Sequence, residues 1–350
     1  MLSQAIVEFG SPLKEIEGPT PTPQGTEVVI KTGHAGVCHS DVHIHDGYFD
    51  LGGGNKLPMG ASLKLPHTLG HEIEGEVVAV GPGAKDVKVG ARFAVFPWIG
   101  CGDCAACRRN EENLCARPRQ LGCSPGVPGG YATHVLVPHP KYLLDYGNTK
   151  PALAAAYMCS GLTAFGAMKK VGKLAEGDEV VVLGCGGVGM MGIQFAKTVL
   201  GKAPIAADID DGRLEAAKKA GAKAAYNSKD PAAVKQLIAD TGGAFAVVDF
   251  VGSEASFAFA TAAVRRGGRV IIVGLFGGAM GMPIPMFPLR ALSVIGSFVG
   301  SLPEAQEMMS IVRAGKVDPI PYATRPLKEA YKTLEDLKGG KITGRVVLTP

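Results

Sequence analysis

Between Glu27 and Val137 the apolar residues come in short runs, Val28-Val29-Ile30, Gly75 to Val80 and Arg92 to Phe96, each bounded by Gly or Pro. Turn sequences such as Gly81-Pro82-Gly83 and the Pro/Gly-rich stretch 125–130 separate them, and together they predict short strands. No stretch of helical period stands out there, so the first part of the chain reads as a mostly β domain. From Pro151 the pattern changes. Continuously apolar runs, Val180 to Leu183 and Val270 to Val273, alternate with segments of helical period. The predicted strands are 179–183, 204–208, 224–226, 245–251 and 269–273; the predicted helices are 188–200, 213–220, 231–240 and 253–265. Alternation of this kind makes βαβ units and a parallel, doubly wound sheet buried on both faces. Two more helices, 304–314 and 327–337, and a strand, 345–348, end the chain.

A length of 350 residues leaves room for two cores. With 46% hydrophobic and 19% charged residues the chain is neither disordered nor a coiled coil. Its 49 glycines have no period of three, which excludes collagen and points to many turns. The net charge of +4, from 36 basic and 32 acidic residues, comes without any basic block, so no nucleic-acid partner is expected. The longest uncharged run, Val270 to Leu289, is long enough to span a membrane. It is broken by Pro283, Pro285 and Pro288 and reads as a buried strand followed by a loop. Residues 1–10 lack the basic-then-apolar pattern of a leader. The expectation is a soluble, cytoplasmic protein with no membrane partner.

The ligand-type side chains are unevenly spread. All eight His lie between His34 and His139, and no Cys falls in the last 165 residues. The second half must therefore do something else. There, Gly184-Cys185-Gly186-Gly187-Val188-Gly189 is a G-x-G-x-x-G directly after a predicted strand and opening a helix. The motif alone is weak, but Asp208 ends the next strand, 24 residues after Gly184. Gly184 permits the tight turn, Gly186 lets a pyrophosphate approach the backbone, and Gly189 permits close helix–strand packing. The helix N-terminus offers free N–H groups to the phosphates. Asp208 would accept from the adenosine ribose and repel a 2′-phosphate, which favours NAD over NADP.

Cys101, Cys104, Cys107 and Cys115 place four thiols within 15 residues. Disulfides are unusual in a cytosolic chain, and four thiolates on one loop suit a closed, tetrahedral zinc site. Arg108 and Arg109 would offset the extra negative charge. A nucleic-acid zinc ribbon would need a two-plus-two spacing and a basic surface, and both are missing.

Two further segments carry ligand-type residues, Gly36-Val37-Cys38-His39-Ser40-Asp41-Val42-His43 and Leu69-Gly70-His71-Glu72. With the four-cysteine loop and the glycine-rich turn, in that order, they make the chain resemble a zinc-dependent medium-chain alcohol dehydrogenase over its whole length. The resemblance implies a GroES-like β domain, 1–157 and 299–350, and a Rossmann domain, 158–298. It implies that Cys38, His71 and Cys159 hold a catalytic zinc, with Glu72 behind it and one position left open. Two zinc ions per chain and NAD are thus the implied cofactors. His67 lacks the Gly-His-Glu context and reads as structural; Cys123 and Cys185 read as packing residues.

The same resemblance implies weaker roles elsewhere. Arg213 would flank the adenosine ribose, Thr163 would lie near the nicotinamide, and Val273 and Leu275 would run along its edge. His39 and Arg345 would meet the pyrophosphate. The implied reaction is reversible oxidation of a primary or secondary alcohol to an aldehyde or ketone, with hydride passed to NAD. The proton would leave through Ser40, the cofactor ribose and His43. The pocket is expected between the domains, with Trp98, Tyr48 and Phe49 as candidate apolar walls. A zinc-free quinone or enone reductase on the same fold and a non-enzymatic NAD or redox sensor are the competing readings. A homo-oligomer, by analogy a tetramer, is expected.

Overall fold

In the computed structural model, which describes residues 1–59 and 63–350, the strand Val28–Gly36 is the axis of a seven-stranded sheet. It pairs antiparallel with Glu72–Val80, His134–Val137 and Arg345–Thr349. Arg92–Val95 and Leu143–Leu144 extend the sheet on one side, and Tyr322–Pro326 lies parallel to Arg345–Thr349 on the other. A three-stranded antiparallel sheet, in the order Lys14–Glu17, Leu2–Ile6, His67–Thr68, belongs to the same unit. Ile6, Val37, Leu69, Tyr131, Leu334 and Leu348 meet in its core. This unit comprises Met1–Tyr48, Pro58–Leu162 and Gly300–Pro350.

The second unit comprises Phe49–Leu57 and Thr163–Val299. The six strands of its larger sheet are all parallel, in the order Ala224–Asn227, Ile205–Asp208, Val180–Leu183, Ala244–Asp249, Val264–Ile272, Ser293–Gly296. Numbered along the chain that is 3-2-1-4-5-6, the doubly wound order of dinucleotide-binding sheets. The expected boundaries, 157/158 and 298/299, differ from the observed 162/163 and 299/300, and residues 49–57 sit with the second unit. The reason is close packing: a Cβ on Gly52 would stand 2.3 Å from the backbone nitrogen of Ala279.

Several elements depart from the sequence pattern. The eight-residue helix His39–Asp46 lies in the region read as mostly β, where no helical period stood out. Its residues are largely polar, and what starts it is a capping box. Asp41 accepts from the Cys38 N–H, and the Cys38 side chain accepts in return. The run Pro151–Val171 is helical and 89% buried. It is apolar all round, so it has no polar face to betray it, and its composition would also fit a membrane span. Within it, Tyr157–Gly161 widen into a π-turn. The loop after Ile272 contains a short helix, Met286–Arg290, and leads to the edge strand Ser293–Gly296; neither they nor Tyr322–Pro326 were expected.

Candidate metal centres and cofactor site

Cys38 caps the helix His39–Asp46, His71 immediately precedes the strand Glu72–Val80, and Cys159 sits in the π-turn. The fold brings a ligand atom of each within 4.8 Å of the others, and all three residues are buried. The two sulfurs are 3.9 Å apart. Two thiolates on one tetrahedral zinc, each at about 2.3 Å, would be separated by about 3.8 Å. His71 Nδ1 lies 3.2 Å from Asp41 Oδ1, and both ring nitrogens are enclosed without a well-directed hydrogen bond among the described residues. A buried imidazole nitrogen facing two thiols is the donor set a metal ion completes. The hydrogen bond from Cys159 and the neighbouring His71 hold the Cys38 thiol well below its ordinary value, against the cost of burial.

Glu72 lies directly beneath this cluster. Its Oε1 accepts from the Ser160 hydroxyl at 2.6 Å and the Ser160 N–H at 3.1 Å, while Oε2 accepts from Arg345. The π-turn explains one of these bonds, since the widened turn leaves the Ser160 N–H to donate outside the helix. Burial pushes the Glu72 carboxyl up, against the pull of Arg345. Gly36 is opposite Glu72 in the sheet, and a Cβ there would fall 1.9 Å from Glu72 Oε2, so only glycine leaves room for this carboxylate. Trp98 packs beside the ligand, its ring 5.3 Å from that of His71, and donates Nε1–H to the Met158 carbonyl at 2.9 Å.

The four clustered cysteines also converge. Sγ separations are 3.5 Å for Cys104–Cys107, 3.7 Å for Cys104–Cys115 and 4.0 Å for Cys101–Cys107. A backbone N–H bond and the Cys107 thiol pull Cys104 down to about 6, so a thiolate is available to a metal. The arginine that reaches these sulfurs is Arg117, 3.5 Å from Cys101. Arg108 and Arg109, expected in that role, instead bond the Asp103 carbonyl and Glu111.

In the second unit Gly184 has φ +87°, and a Cβ on Gly189 would strike the Gly184 carbonyl oxygen at 1.8 Å. A Cβ on Gly186 would meet nothing within 4 Å, so the backbone there is open to a ligand. The helix Gly187–Val199 starts at Gly186 without a side-chain cap, which leaves the first-turn N–H groups of Gly187, Val188 and Gly189 for an anion. Asp208 is buried at the strand end; its Oδ2 accepts from the Cys185 N–H at 2.6 Å and its Oδ1 from Asp210 N–H at 3.0 Å. It therefore fixes the glycine-rich turn as well as ending the strand. Arg213 lies in the first turn of the following helix, Asp211–Lys219. Thr163 opens the second unit, Val273 is buried just past its strand, and Leu275 is exposed.

A family model described as an alcohol dehydrogenase GroES-like domain matches residues 24–148, and one described as a zinc-binding dehydrogenase matches 187–314. An NAD-dependent alcohol dehydrogenase of Sulfurisphaera tokodaii is 40% identical over the whole of both chains. The chain belongs to the zinc-binding alcohol dehydrogenases. A second NAD-dependent alcohol dehydrogenase, from Saccharolobus solfataricus, is 38% identical over the whole of both chains. The crystal structure of the alcohol dehydrogenase of the archaeon Aeropyrum pernix superposes with a TM-score of 0.90 at 29% identity, covering all of both chains. This dehydrogenase oxidises an alcohol with NAD, and its cofactors are zinc and NAD.

Several residues around the Cys38, His71 and Cys159 cluster escape a reading of the sequence. Asp41 and Ser160 stand next to named motif residues, but nothing in their spacing says which atoms they hold. Arg345, which the resemblance sets near the pyrophosphate, donates to Glu72 and is enclosed, because strand Arg345–Thr349 pairs with Val28–Gly36. His39 is exposed at the helix start, Ser40 Oγ lies 3.9 Å from the Cys38 sulfur, and His43 is half-buried one turn on. His67 donates Nε2–H to the Gly122 carbonyl at 3.0 Å, in keeping with a structural place.

Proposed function

We propose that Cys38, His71 and Cys159 hold the catalytic zinc of this dehydrogenase, and that Cys101, Cys104, Cys107 and Cys115 hold a second, structural one. The carrying observation is the contrast in donor number: three buried ligands in one cluster, four thiols in the other. Three protein ligands leave a place for substrate; four close the shell. Zinc held there would supply a Lewis acid that lowers the pKa of an alcohol O–H, and bound NAD would supply the hydride acceptor. The chain's own residues do the rest. Ser40, beside Cys38, would accept the substrate proton and hand it on toward His43. His43, at i+3 on the same helix face, carries it toward solvent. Trp98 screens one side of the ligand cluster from water. Gly184 to Gly189 take the pyrophosphate and Asp208 the adenosine ribose, with Arg213 beside it. His39, Thr163, Val273 and Leu275 complete the cofactor set.

The substrate is a primary or secondary alcohol with an apolar part, and the enzyme works in the cytoplasm. We further propose a homo-oligomer, by analogy a tetramer. Ser293–Gly296 is an edge strand, and Phe276, Ile284 and Leu289 in the segment before it are more than half exposed.

The test is a zinc count joined to NAD reduction over a panel of primary, secondary and polyol substrates. The parent should carry close to two zinc ions per chain. Cys159→Ala should lose one zinc and turnover, whereas Cys104→Ser should lose one zinc and chiefly stability. Near-normal turnover in Cys159→Ala would remove Cys159 from the ligand set. Sedimentation should show assemblies larger than one chain.

A further inference from the structure

Tyr131 takes no part in the set above, yet its hydroxyl reaches the Asp41 carboxylate that lies against His71. It is fully buried and donates to Asp41 Oδ2 at 3.2 Å. Asp41 is itself fully enclosed. Its Oδ2 also accepts from the Cys38 N–H at 2.9 Å; its Oδ1 accepts from the Gly70 N–H at 3.2 Å and lies 3.2 Å from His71 Nδ1. One carboxylate thus ties the turn that supplies Cys38 to the turn that supplies His71. A carboxylate has about four acceptor positions, and here four groups face it. Three belong to the ligand-bearing segments. The Tyr131 hydroxyl is the fourth.

The place of Tyr131 is set by backbone pairing. Gly129, Gly130 and Tyr131 donate N–H to the carbonyls of Thr68, Gly70 and Leu69 at 2.9, 2.7 and 2.9 Å. This lays the ring across Gly70, where a Cβ would come within 2.4 Å of a ring carbon. Gly70 also has φ +96°, so glycine is required there twice over.

We propose that Tyr131 is a positioning residue for the metal centre: its hydroxyl locks the Asp41 carboxylate in the orientation that aims the His71 ring. The inference rests on Cys38, His71 and Cys159 being the zinc ligands. Partners of a ligand's second nitrogen fix its ring and raise its basicity, and their loss typically weakens metal binding about 10–100-fold. Without the hydroxyl, one acceptor position of a buried carboxylate is unfilled, and Asp41 turns toward its remaining donors.

Tyr131→Phe separates this role from packing, because the ring over Gly70 stays. Zinc release from the full-length enzyme to a chromophoric chelator would be followed, with the phase missing in Cys159→Ala assigned to the Cys38 site. The expected result is that this phase speeds up about tenfold in Tyr131→Phe while the other phase is unchanged. With cobalt in place of zinc, the thiolate-to-metal absorption bands should shift. In an Asp41→Asn background the same Tyr131→Phe change should have little further effect. Unchanged phases, or equal acceleration of both, would overturn the role of Tyr131. So would a full tenfold effect persisting with Asn at position 41. A parent protein with a single zinc per chain would overturn the ligand set and this role with it. Should the Asp41 variant not fold, the two phases of Tyr131→Phe alone still decide.

Discussion

Arg345 donates to the Glu72 carboxylate in the closed interior of the first unit, with 4% of the arginine side chain and none of the glutamate exposed. The strand that carries Arg345 comes from the last residues of the chain and is inserted beside Val28–Gly36. The end of the sequence thereby neutralises a carboxylate buried near the Cys38 sulfur.

Breaking that pair leaves a buried charge without compensation. Arg345→Met should cost about 3–5 kcal/mol of stability, measured by denaturant unfolding of the zinc-loaded protein. Arg345→Lys keeps the charge and should cost less. Equal stability of the Met variant and the parent would show that Glu72 does not need this partner.

Glu74, two residues along the same strand, anchors a second network. It accepts from Arg92 Nε at 2.9 Å and from the Tyr146 hydroxyl at 2.7 Å, and pairs with His34 at 2.7 Å. Burial would raise its carboxyl, but bonds from His34, Arg92 and Tyr146 hold it below the ordinary 4.5. A carboxyl depressed in the folded state adds stability above its unfolded value and loses it as the pH falls through the folded value. Glu74→Gln should therefore be less stable than the parent at pH 7 by about 2–3 kcal/mol, and the gap should close below pH 4. A gap independent of pH would mean that the charge is not what matters.

Burial lowers the pKa of His43 below 6.5, so it stays a neutral acceptor at neutral pH. Alcohol oxidation should rise with pH through an acid limb below that value and then level off. His43→Gln should lower kcat several-fold and remove this limb, since water substitutes only in part. An acid limb identical in the two proteins would place the proton path elsewhere.

Asp208 sets cofactor choice if it faces the adenosine ribose. A ribose hydrogen bond gained and a like-charge contact avoided should together give NAD a preference of about a hundredfold. Asp208→Asn keeps an oxygen for the Cys185 N–H and removes the charge, so the NADP-to-NAD ratio of kcat/KM should rise at least about tenfold. Asp208→Gly also frees the Cys185 and Asp210 N–H groups, and should raise KM for NAD besides. An unchanged ratio in the Asn variant would put Asp208 away from the ribose.

Periodicity and spacing alone determined much of this protein. The alternation of apolar strands and helices after Pro151 specifies the parallel sheet, because each strand must be buried on both faces. The Gly184–Gly189 turn and the four-cysteine loop are legible because each site lies within one short segment. The proposed catalytic set is different in kind. Cys38, His71 and Cys159 are 121 residues apart at their extremes, and the motifs name them without showing that they meet. Their meeting depends on a sheet register that sets Gly36 against Glu72 and on a π-turn inside a helix with no polar face to reveal it. Of the partners that hold these residues, Asp41 and Ser160 lie beside Cys38 and Cys159 in the chain but reach across to His71 and Glu72, while Tyr131 and Arg345 come from two further places. Local sequence decides which residues can bind a metal. Only tertiary packing decides which buried hydrogen bonds aim them, since those bonds join segments with no sequence relation to one another.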